Sequence, residues 1–178
     1  MNQDNLLERI AQGDVLTAEE LIEVMKAPFA QKALTDYITD NHEYSEFSHY
    51  LRGQAELYLL DQPYAEEILK IYIERDFSLS DAAEVKLLDQ PYAEEILKIY
   101  LANRDFPLAD AAQVKLLDKP YAPEILKLYI EQNASLCEEA EVKLLTKPYA
   151  KELVLLLLKD GYYSRETEVF AQEKGWIA

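Results

Sequence analysis

The sequence predicts an all-α protein, a right-handed α-solenoid of two-helix repeats with a period of 28–29 residues. About four regular units are expected, with degenerate copies at the ends. Three observations carry this. The fourteen-residue stretch Leu59 to Tyr72 recurs letter for letter as Leu87 to Tyr100, and returns with edits as Leu116 to Tyr129 and Leu144 to Leu157. Prolines 63, 91, 120 and 148 lie 28, 29 and 28 residues apart by subtraction, and self-similarity at a fixed period of roughly 20–50 residues marks a repeat architecture. Apolar residues follow the helical spacing, and no alternating run with turn signals suggests a strand.

Each repeat reads as a short helix followed by a longer one. In the second regular unit the short helix is expected from Ser80 or Asp81 to about Leu88, with Ser80 as N-cap. The longer helix is expected to begin at Pro91. Proline is tolerated at the first helical position and pushes the preceding residue out of the α region. Tyr92, Ile96, Ile99 and Tyr100 fall at offsets 0, 4, 7 and 8, one helical face. Glu94–Lys98 and Glu66–Lys70 are i,i+4 pairs in the favoured order. A single long helix is excluded, because each interior proline would cost about 3 kcal/mol. Neither helix buries its apolar stripe alone, so stacking of neighbouring copies must supply the core. Helices packed roughly 8–10 Å apart would then build a curved rod.

The chain is expected to form one domain over residues 1–178. Residues 1–50 hold a degenerate first repeat and an insertion. There Thr17-Ala18-Glu19-Glu20 spells a capping box, and Leu6, Leu7, Ile10, Leu21, Ile22, Val24 and Met25 are the candidate core. This first copy covers residues 1–29, and another proline-led helix follows from Gln31 to Ile38. The insertion lies within about residues 39–50 and carries both histidines. If helical, His42, Glu46 and His49 share one face, a pattern that could hold a divalent metal. The plain alternative is a solvated bend. Residues 51–143 are the regular array. Residues 144–178 are the last repeat and a C-terminal cap, in which Leu153 to Leu158 is apolar all round and expected to be buried on every side. The covering residues would be Tyr162, Tyr163, Val169, Phe170, Trp176 and Ile177; otherwise the leucines form a homodimer patch.

Two tyrosine ladders run through the repeats: Tyr64, Tyr92, Tyr121 and Tyr149, and Tyr72, Tyr100 and Tyr129. They read as core with each hydroxyl reaching the surface, the alternative being a stacking platform. A recurring acidic stripe is the candidate binding surface: Asp61, Glu66, Glu67, Asp89, Glu94, Glu95, Asp118 and Glu124.

Composition restricts the function. Net charge is −16, with residues 1–56 at −7 (11 acidic, 4 basic) and residues 57–178 at −9 (23 acidic, 14 basic). Acidity spread this way opposes direct binding to the nucleic-acid backbone, which needs Lys and Arg, and to an anionic membrane. It favours a basic protein partner. The one cysteine, Cys137, excludes an internal disulfide and reads as a small residue next to the start of a short helix, the alternative being a redox or catalytic thiol. The polar N-terminus lacks signal-peptide character, and the leucine run is far shorter than the roughly 20 residues that span a bilayer, so a cytoplasmic location is expected. No Gly-rich phosphate loop, HExxH, GxSxG or CxxC occurs, so neither catalysis nor a cofactor is expected.

The two-helix repeat resembles the α-solenoids in the broad sense of HEAT, armadillo and tetratricopeptide arrays. The likeness is architectural: the period is shorter than theirs and their signature residues are absent. It implies binding through a concave surface, and the fold alone does not fix the partner. The leading expectation is a non-catalytic protein-binding module, of which an inhibitor or immunity-type protein is one form. The alternatives are a DNA mimic that occupies a nucleic-acid-binding protein, and a structural, self-assembling repeat.

Overall fold

The computed structural model describes residues 3–39, 51, 53–102, 107–132, 134–161 and 163–177. Among these, twelve helices and no strands are found. They are α1 (Gln3–Ala11), α2 (Ala18–Met25), α3 (Ala30–Thr39), α4 (Gln54–Leu59), α5 (Ala65–Glu74), α6 (Asp81–Leu87), α7 (Ala93–Ala102), α8 (Asp110–Leu116), α9 (Ala122–Glu131), α10 (Glu138–Leu144), α11 (Ala150–Asp160) and α12 (Arg165–Glu173). No helix among the described residues is long and apolar enough to cross a membrane. His42, Glu46 and His49 lie outside the described residues.

The helices fall into two compact units, Met1–Gln90 and Pro91–Ala178. In the first, α3 packs between α1 and α5, and α4 packs between α2 and α6. In the second, α9 packs between α7 and α11, and α10 between α8 and α12. Each unit is therefore two rows of helices with the apolar stripes facing inward. Helices of six to eleven residues are too short to persist alone in water, so this stacking is what holds them.

The core stripe of α7 is Ala93, Ile96, Leu97, Tyr100 and Leu101, all at most 3% exposed. The stripe expected from sequence is thus turned slightly: Tyr92 and Ile99 are half-buried. The cause is the helix start. Pro63 and Tyr64 occupy a tight turn closed by the Ala65 N–H bonding to the Gln62 carbonyl at 3.1 Å, and the α-helix begins at Ala65, two residues beyond the proline. The same turn precedes α9 and α11, where Ala122 and Ala150 bond back to Lys119 and Lys147. Alanine at the first position, 0–2% exposed in α5, α7, α9 and α11, lets these helices approach their neighbours closely.

Local chemistry sets the ends. The capping box of α2 is complete: Thr17 Oγ1 accepts from the Glu20 N–H at 3.2 Å, and Glu20 Oε2 accepts from the Thr17 N–H at 2.9 Å. The Thr17 N–H, with Arg9, holds the Glu20 carboxyl below its ordinary range against the opposing effect of burial. Arg75 closes α5, and the Phe77 N–H then reaches back to the Tyr72 carbonyl across Asp76, which takes φ +60°. Gly161 ends α11 at φ +82°, a conformation glycine adopts without strain. Of the first-copy core, Leu6, Ile10, Leu21, Val24 and Met25 are buried, while Leu7 and Ile22 are half-buried. In the leucine run, Leu153, Val154 and Leu157 are buried but Leu155, Leu156 and Leu158 only half-buried. Burial on every side is not reached, because α11 packs on α9 and α12 and the rest of its circumference is only partly covered.

Candidate functional site

The polar chemistry of this chain is concentrated where one short helix meets the next. Glu56, Glu84, Gln113 and Glu141 are 2–5% exposed and stand seven residues before Pro63, Pro91, Pro120 and Pro148. A buried side chain of this kind must be hydrogen-bonded to be tolerated. Glu56 Oε2 accepts from the Ser80 N–H at 3.0 Å and from the Ser80 hydroxyl, and Glu56 Oε1 lies 3.5 Å from the Tyr72 hydroxyl. Gln113 Oε1 accepts from the Cys137 N–H at 2.7 Å, while its amide donates to the Leu108 carbonyl at 2.7 Å and to the Tyr129 hydroxyl at 3.3 Å. Glu141 Oε2 accepts from the Ser164 N–H at 2.8 Å and from the Thr167 hydroxyl at 2.6 Å. In each case one residue caps the N-terminus of the following short helix. Ser80 is the N-cap of α6, as the sequence indicates, but its own side chain makes no capping bond; it is spent on Glu56. Burial outweighs these donors and pushes the Glu56 carboxyl above its ordinary range.

The opposite ends of the short helices are held by lysines. Lys86 Nζ donates to the Leu57 carbonyl and to Asp61 Oδ2, both at 2.6 Å. Lys143 Nζ donates to the Val114 carbonyl at 2.9 Å and to Asp118 Oδ2 at 2.6 Å. Lys147 adds a 2.7 Å bond to Asp118 Oδ1. Lys143 and Lys147 together hold the Asp118 carboxyl down to about 2.

Tyrosines complete the junctions. Tyr64 donates to the Met25 carbonyl at 2.9 Å and Tyr149 to the Leu117 carbonyl at 2.8 Å. Burial raises both phenols, Tyr64 to about 12. These hydroxyls turn inward to the short helix of the preceding repeat, α2 for Tyr64 and α8 for Tyr149, because the orphan carbonyls at a helix C-terminus need donors. Tyr72, Tyr100 and Tyr129 are at most 3% exposed and so cannot form a stacking platform.

The residues of the acidic stripe are placed as follows. Within the first unit, Asp61 pairs with Lys86, Glu66 with Lys70 at 2.8 Å, and Glu67 accepts from the Gln31 amide; Asp89 is exposed after the end of α6. Within the second, Glu94 and Glu124 share Lys98 at 2.9 and 2.7 Å, Asp118 holds its two lysines, and Glu95 is exposed. The two expected i,i+4 pairs are therefore formed. The glutamates mark the first turns of the long helices, where negative charge suits the helix dipole. Several of these carboxylates join one repeat to the next, a role the linear pattern did not reveal. Among the described residues no group of three or more His, Cys, Asp or Glu could hold a metal ion. Cys137 is half-buried at the N-cap of α10.

No known protein family matches the chain, and neither a curated protein nor a solved structure shows a significant match to it.

Proposed function

We propose that the chain is one continuous right-handed α-solenoid with a 28–29 residue period, and that it is a non-catalytic, cytoplasmic protein-binding module. Its carboxylate-rich surface grips a basic protein, in the manner of an inhibitor or immunity-type protein. The observation that carries this reading is what remains after the internal pairs are formed. Lysines 70, 86, 98, 127, 143 and 147 are engaged within and between repeats, yet acidic groups still outnumber basic ones by 16. Glu124 and Glu152, in the first turns of α9 and α11, keep 61% and 70% of their side chains exposed beside those lysines. A surface of this sign steers and holds a basic partner and repels nucleic acid.

The lysines interleaved with Asp61, Asp118 and Glu124 weigh against an unbroken carboxylate row of the sort a DNA mimic needs. Burial of Leu153, Val154 and Leu157 leaves only Leu155, Leu156 and Leu158 half-exposed, which narrows the apolar face open to self-assembly through the leucine run. The test is affinity capture from source-cell extract with the intact chain as bait, washed at low and then high salt. One stoichiometric basic protein, released by salt and indifferent to added DNA, is the expected result. A partner competed off by DNA would favour the mimic. An empty capture with bait larger than a monomer would favour self-assembly.

A further inference from the structure

Among the described residues, three large apolar side chains stand exposed: Val15, Val142 and Val169. Two of them, Val142 at 49% and Val169 at 43%, line a single open groove of about 540 Å³ between α10 and α12, floored also by Leu145 and Phe170. The sequence has changed at this junction in a coordinated way. Where α4 meets α6 and where α8 meets α10, a lysine crosses to the previous short helix and pairs with the aspartate after it, Lys86 with Asp61 and Lys143 with Asp118. In α12 the lysine position is Phe170, and the matching aspartate position is Thr146. Thr146 bonds back to the Lys143 carbonyl at 2.7 Å, and Phe170 packs edge-on against Trp176 at 5.5 Å. A polar bridge has been replaced by an apolar floor.

The rim supplies the sign. Glu166 and Glu173 line it with Arg165, and Lys174 lies over the Phe170 ring at 5.3 Å; together with Glu138 these five groups carry a net charge of −1. Exposed Glu138 stands four residues before Val142 on the same stripe of α10. Glu166 and Glu173 are seven residues apart, two helical turns or about 10.5 Å. An apolar groove between two helices takes an amphipathic helix, and carboxylates two turns apart match Lys or Arg at the same spacing on it.

We propose that this groove is a docking site for a short, basic amphipathic helix of a protein partner. The proposal rests on the reading of the chain as a module for basic partners, and gives that partner a shape. The probe is a fluorescent eighteen-residue synthetic peptide with Leu at helical spacing and Lys elsewhere, compared with a scrambled peptide of the same composition. Anisotropy is read at about 0.15 M salt, where distant surface charges are screened. The full chain should bind the amphipathic peptide about tenfold or more tighter than the scrambled one. Val169→Asp should abolish that difference. So should Thr146→Asp with Phe170→Lys, which restores the bridge found at the other junctions and keeps the test alive should the first variant unfold. Equal binding of both peptides, unaffected by either variant, would overturn the groove and leave the acidic reading standing. Binding of neither peptide would overturn both. A dimer that Val169→Asp converts to monomer, and that the peptide does not displace, would mean a second copy fills the groove, and the proposal would fail.

Discussion

Glu56 offers the sharpest test of how this fold is held together, because the chain carries its own control. Glu56 and Gln113 occupy corresponding positions and make corresponding bonds, one with a carboxylate, the other with an amide. Replacing Glu56 by Ala leaves the Ser80 N–H without its acceptor and weakens the support of the Tyr72 hydroxyl. An orphaned buried donor costs about 1–3 kcal/mol, and the freed space adds a smaller packing loss. The expected loss is about 2–4 kcal/mol, a fall in melting temperature of roughly 5–15 °C for a chain of this size. Glu56→Gln should keep most of the stability at neutral pH. It retains the acceptor for Ser80, and no carboxylate need be desolvated. The pH profile separates the two. Burial raises the Glu56 carboxyl in the folded state. Its contribution is therefore fully present below the ordinary glutamate range and is lost as pH rises through the raised value. Wild type should gain stability relative to Glu56→Gln as pH falls from 7 toward 4. Urea unfolding of both proteins across that range is the assay. A neutral Glu56→Ala, or parallel pH profiles for wild type and Glu56→Gln, would refute the reasoning.

Other expected outcomes follow from single residues. Leu97, 1% exposed, should cost about 2–5 kcal/mol as Leu97→Ala, and Leu97→Asp should unfold the chain; unchanged helicity and melting temperature in circular dichroism would contradict the core assignment. Asp118 should titrate near 2 by carbon-detected NMR. Because that folded value is depressed, its contribution is present above the ordinary aspartate range and lost as pH falls toward 2; Lys143→Ala with Lys147→Ala should return the midpoint to the ordinary range. Gly161→Ala should cost about 1 kcal/mol by thermal melt, through strain at φ +82°, since open space surrounds the site.

The repeated prolines, the capping box at Thr17 and the Glu66–Lys70 and Glu94–Lys98 pairs were readable because each is a local pattern: a breaker, a cap, a spacing of four. The junction chemistry was harder to read. A glutamate in a helix ordinarily faces water, so nothing local marks Glu56, Glu84 and Glu141 as buried. The signal was present: each recurs seven residues before a proline and sits on the stripe of Ala83 and Leu87, and the one replacement, Gln113, keeps the acceptor. Asp61–Lys86 and Asp118–Lys143 are each 25 residues apart, a separation no helical period connects; only stacking brings them together. The acidic residues of the candidate stripe were found, but composition counted their charge without revealing which lysines offset it. The groove was not read from the sequence: aligned with Lys86 and Lys143, Phe170 marks a lost lysine, but the opening depends on where α12 lies against α10.

If exposed carboxylates on the long helices grip a basic partner, reversing their charge must release it. The most direct measurement is the affinity of the captured partner, by calorimetry, for the wild-type chain and for the Glu67→Lys, Glu95→Lys, Glu124→Lys triple variant, with circular dichroism checking the fold. A loss of about a hundredfold or more, with a weaker salt dependence and an unchanged spectrum, is the expected result. Unchanged affinity in a folded variant would mean that the acidic surface serves solubility and that recognition lies elsewhere.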